Sequence, residues 1–104
     1  MIVSTTQDIP GREITEVLGL ARGNSVRARH AGRDIMAGLR NLVGGEISEY
    51  AKLQAETREM ATRRMEEFAE SIGADAVVGV RYTTSMIASG ASEILAYGTA
   101  VKLS

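Results

Sequence analysis

The stretch RARHAGRD, residues 27 to 34, holds the chain's single histidine, His30, and four positions later an aspartate, Asp34. An imidazole beside a carboxylate is a start towards a divalent transition-metal site, because such ions accept nitrogen and oxygen donors of this kind. Soft heavy metals also ask for thiolate. The chain has no cysteine, so one copy alone cannot build a conventional soft site. The plainer alternative is a surface or interface histidine bonded to its neighbours, with Asp34 capping the helix that follows it.

The charge around His30 is basic. Arg22, Arg27, Arg29, Arg33 and Arg40 fall in a stretch whose one acid is Asp34, and the chain is acidic from Glu46 to Glu70. Guanidinium groups grip carboxylate and phosphate alike, and helix N-termini favour anions. Arg27, Arg29 and Arg33, with the paired glycines Gly44 and Gly45, therefore make an alternative site for an anion or acidic metabolite. It is not a phosphate loop, since no Lys-Ser/Thr pair follows the glycines. The competing role for the arginines is pairing with the acidic stretch of a neighbouring copy, and for the glycines a sharp helix–helix corner. Met36, Met60, Met65 and Met86 fall on apolar faces and read as core filler, not as a thioether site. No nucleophile elbow, His-Glu-x-x-His pair or dinucleotide fingerprint occurs, and the serines and threonines lack an activating constellation, so no enzyme is expected.

The elements that position these residues must come from an ordinary composition. Charged residues make up 24% and apolar ones 44%, the balance of a globular chain, and 104 residues suit a single domain over 1–104. A net charge of −1 argues against a nucleic-acid or membrane-surface protein. Aromatics are only 4%, so the core must pack Ile, Leu, Val, Met and Ala closely. The opening MIVSTTQDIPGREI has no basic start followed by a long apolar run, and no window suits a membrane span; a cytoplasmic protein is expected.

The pattern predicts an edge strand near Ile2 to Thr5, a turn at DIPG, and a strand from about Glu13 to Ala21. RGNS, Arg22 to Ser25, is expected to interrupt that strand before Val26 to Arg29 resume it. Asp34 to Leu42 has helical spacing and ends at Gly44–Gly45. A longer helix spans about Ser48 to Ile72, its stripe running through Tyr50, Leu53, Thr57, Met60, Ala61, Met65, Phe68, Ala69 and Ile72. Two strands, Val77 to Ile87 and Glu93 to Leu103, form a hairpin through ASGAS. The first should carry Val78, Val80, Tyr82, Thr84 and Met86 on one face, the second Ile94, Ala96, Gly98 and Ala100. A five-residue connection would set Tyr82 opposite Gly98, with Tyr82 and Tyr97 as packing residues.

Three motifs, RHAGRDIMAGLRNLVGGEISEYAKL, GADAVVGVRYTTSMIASGASEILAYGTAV and the early IPGREI, resemble the YbjQ-like family, often labelled heavy-metal-binding. The likeness runs nearly end to end. It implies an α+β subunit, dodecin-subunit-like, with a long helix and a short helix on an antiparallel sheet. It also implies a ring-shaped homopentamer. One histidine per chain would then become five, or an imidazole facing another chain's carboxylate. The expectation is a non-enzymatic oligomer binding a small ligand, a divalent transition metal in the lead, through His30 with Asp34 or Glu46 across a subunit boundary. The alternatives are an anion-binding ring and a scaffold with no small ligand.

Overall fold

The computed structural model describes residues 1–28, 48–88 and 91–104. Its elements are β1 (Ile2–Val3), β2 (Ile14–Ala28), α1 (Ser48–Ser71), β3 (Ala76–Ala88) and β4 (Ala91–Leu103). The four strands form one sheet in the order β1-β3-β4-β2, and α1 lies across β2 and β4. This is the expected α+β architecture with one correction. The sheet is mixed, because β1 runs parallel to β3 while the other pairs are antiparallel. The short helix expected over Asp34 to Leu42 lies outside the described residues.

The long helix forms where its period predicts. Thr57, Ala61, Met65 and Ala69, one residue every turn, are buried against the sheet. The Thr57 hydroxyl donates to the Leu53 carbonyl at 2.7 Å, which allows a polar side chain in that stripe. Phe68 and Ile72, expected in the stripe, are 43% and 38% exposed. The helix ends in a reciprocal pair of bonds, Ala74 N–H to Ala69 C=O and Gly73 N–H to Glu70 C=O, the closing pattern of a left-handed residue at Gly73.

RGNS does not interrupt β2, which pairs with β4 without a break from Arg22 to Ser25. Gly23 reads as a turn residue but serves contact. A Cβ there would lie 2.2 Å from the Met65 backbone nitrogen and 2.5 Å from the Ala61 carbonyl oxygen, so the helix backbone rests directly on the strand. Ala21 and Ser25, its neighbours on that face, are small and buried.

β3 departs from simple alternation. Val78 pairs with Thr99 and Arg81 with Tyr97, so Gly79 and Val80 together face Gly98 in a bulge. Gly79 sits at φ 63°, and its N–H donates to the Thr6 carbonyl at 2.8 Å while Val80 N–H reaches Ser4 at 3.0 Å. The bulge sends Val78 to the face opposite Val80, against the expected single face. Val77 and Val80 join Ile94, Ala96 and Ala100 under the helix, whereas Val78 joins Ala76, Val101 and Leu103 beneath Ile9 and Ile14. Tyr82 stands opposite Ala96, not Gly98: the strands continue to an Ala88–Ala91 pair, a shorter connection than expected, and a register shift between Met86 and Ala88 moves the pairing one residue further.

The contact at Gly23 yields a stability prediction. Gly23→Ala should cost about 3 kcal/mol, since backbone atoms on both elements must move. Gly11→Ala, at φ 82° with nothing within 4 Å, should cost only about 1 kcal/mol of backbone strain. Urea unfolding of the two variants measures both. Equal losses would show that the helix does not press on β2.

Candidate functional site

Of the residues that the sequence nominates, His30, Asp34, Glu46, Arg29, Arg33, Gly44 and Gly45 lie outside the described residues. Arg27 is described. Among the described residues no group of three or more His, Asp or Glu side chains gathers to hold a metal ion. The soft-donor chemistry is equally thin. Met65 is fully buried in the core, and Met86, expected to pack as filler, is 75% exposed on β3. With no thiol and one imidazole per chain, a single copy does not fit a soft heavy-metal ion.

Arg27, half-buried one residue before the end of β2, lines a groove against the first half of α1. The groove holds about 460 Å³ and is flanked by Lys52, Glu56, Glu59, Met60 and Arg63. That is room for a small metabolite. Three cations against two carboxylates favour an oxyanion of modest charge, with the carboxylates limiting how much negative charge enters. Lys52, Glu56, Glu59 and Arg63 come from successive turns of the helix's polar side, away from the buried stripe that marks the helix in the sequence.

A second constellation appears only in the strand register. β2, β4 and β3 place Arg22, Tyr97 and Arg81 in one row across three strands, on the face opposite α1. Tyr97, expected to pack, is 37% exposed. Arg81 donates from Nη1 to the carbonyls of Thr5 at 3.1 Å and Val80 at 2.8 Å, so it also ties the segment after β1 to the bulge. Tyr82, on the helix side, shares a hydrogen bond with Thr62 of α1 at 2.8 Å and does help to seat the helix.

A family model described as "Putative heavy-metal-binding" matches residues 1–104. A UPF0145 protein of Methanosarcina acetivorans is 60% identical, over 99% of this chain and 97% of its own length. UPF0145 proteins of Vibrio campbellii and Archaeoglobus fulgidus are 59% and 54% identical, with 99% of this chain covered in both and 99% and 95% of theirs. Among solved structures, a protein of unknown function of the DUF74 family from Pediococcus pentosaceus aligns with a TM-score of 0.71 at 16% identity. The alignment covers 100% of this chain and 98% of that one. The likeness at that identity is one of fold.

The groove makes a prediction of its own. Arg27→Ala should leave unfolding free energy within about 0.5 kcal/mol and weaken sulfate binding roughly tenfold, the loss expected for one charge-assisted bond. Isothermal titration and urea unfolding measure the two. Unchanged sulfate affinity would remove Arg27 as an anion ligand.

Proposed function

The chain belongs to the YbjQ-like family, and from that premise we propose that it is a non-enzymatic homo-oligomer that binds a small ligand where copies meet. The observation that carries this reading is unfinished surface. Much of that surface is strand: every residue of β3 from Arg81 to Ala88 is exposed, including Met86 and Ile87. β1 pairs only with Ala76 and Val77, so it does not reach the upper half of β3. Exposed apolar strand edges invite pairing with another chain. The ring of five implied by the family resemblance would satisfy that edge in every copy.

A divalent transition metal is the leading ligand, and assembly is what would make it chemically sensible. His30 from several copies, or His30 with Asp34 or Glu46 of a neighbour, supplies donors that one chain lacks. The non-enzymatic reading rests on the single histidine and the missing activating constellation. The half-buried Arg27 in its groove favours a second reading, an anion or acidic metabolite held by the basic segment.

Native mass spectrometry of the purified protein with zinc, copper, nickel and phosphate added separately tests these readings. A pentamer should gain a defined metal mass, and His30→Ala should lose at least roughly tenfold in affinity while keeping its subunit number. A bare ring with every cation would retire the metal reading, and a monomer would retire assembly.

A further inference from the structure

We infer that the groove beside Arg27 takes a small monocarboxylate with a compact apolar body. This rests on the second reading above, that the groove holds an anion, and it names the class of anion.

The site follows from where the two layers part. On β2 the row facing α1 runs Ala21, Gly23, Ser25 and Arg27, since the pairing with β4 has no register shift over that stretch. The first three are small and buried. At Gly23 the helix backbone lies on the strand. Four residues on, Arg27 pairs with Ser92, and α1 reaches that serine with the full length of a glutamine, Gln54 Nε2 donating to Ser92 Oγ at 3.4 Å. The layers have separated there by a side chain's length, and the space between them is the groove of about 460 Å³.

Arg27 continues a row that elsewhere meets the helix, so its charge is half-buried between the layers. A cation so placed needs a counter-charge. The groove's own acids answer other cations. Glu56 lies four residues from Lys52 and Glu59 four residues from Arg63, the spacing at which opposite charges offset one another on a helix. Arg27, supplied by the strand, is the charge left over, and the groove as a whole suits one negative charge. A dianion would add repulsion from both glutamates. The planar fork of an arginine grips a carboxylate through two parallel bonds. Ala55 and Met60, both half-buried, make the uncharged part of the wall. A methionine there moulds itself to a ring or a branched chain. Fork and apolar wall together ask for a ligand with a carboxylate at one end and a water-shy body at the other.

Ligand-observed NMR titration of the wild-type protein with benzoate, acetate and benzamide tests this, with sulfate followed by its displacement of benzoate. Benzoate should bind roughly tenfold or more tightly than acetate or sulfate, which lack the body. The same margin should separate it from benzamide, which lacks the charge. Arg27→Met should remove the margin over benzamide, and Met60→Gln the margin over acetate; circular dichroism checks that each variant folds. The wild-type series stands without either variant. Benzoate no better than acetate or sulfate, with all three weakened by Arg27→Met, keeps the anion reading and overturns this one. Benzamide matching benzoate overturns it as well. Anions that fail to bind, or that bind wild type and Arg27→Met alike, remove both the anion reading and the inference built on it.

Discussion

The backbone of α1 rests on β2 at Gly23, and the rest of the packing follows from that contact. A helix this close leaves no room for large side chains between the layers, so the stripe facing the sheet is Thr57, Ala61, Met65 and Ala69. Met65 alone is bulky, and its backbone nitrogen lies over Gly23, where no side chain opposes it. A chain with 4% aromatic residues can fill such a core because the gap is thin. The same closeness narrows what the helix covers. Phe68 shares its flank with Arg64, whose Nη1 donates to the Asn24 carbonyl at 2.8 Å on β2. That flank lies beside the buried stripe, and Phe68 stays partly in water.

The bulge at Gly79 divides the sheet in a second way. Below it, Ala76, Val77, Val78 and Val80 are buried, and the segment after β1 is bonded to the bulge itself. Above it, all eight residues of β3 are exposed. One strand is thus half core and half surface, with the break at the residue whose φ requires glycine. The lower half supplies both faces with apolar side chains because the bulge shifts the alternation by one residue. The upper half lies beyond the reach of β1 and extends a body that measures 54 × 24 × 16 Å. So long and thin a shape keeps much of its sheet outside any core that one chain can make.

What was legible in the sequence follows from how local each signal is. The helix was readable because the period at Thr57, Ala61, Met65 and Ala69 is carried by the helix alone. The final hairpin was readable because alternation from Ile94 to Ala100 persists whatever lies opposite. Gly23 was misread as a turn because a glycine needed for close approach resembles one needed for a bend. Val78 and Val80 were placed on one face because a bulge is fixed by its partners, here Ser4 and Thr6, some seventy residues away in sequence. The Arg22–Tyr97–Arg81 row could not be read at all, since three strands must first find their register. Of the nominated anion and metal residues, Arg27 is the one that lies among the described residues, and its groove partners come from the polar side of a helix.

The chemistry and the shape point the same way. A metal site is defined by donor type, number and geometry, and a chain with one imidazole and no thiol gains a second imidazole only by meeting a copy of itself. An anion site built on Arg27 faces a similar limit, because Glu56 and Glu59 share the groove and offset its cations. The fold meanwhile presents Arg22, Tyr97 and Arg81 in one row on the open sheet face, and a helix of mixed charge on the other side. On the reading proposed above, ligand chemistry and self-association become one question, because the second imidazole comes only from a second copy.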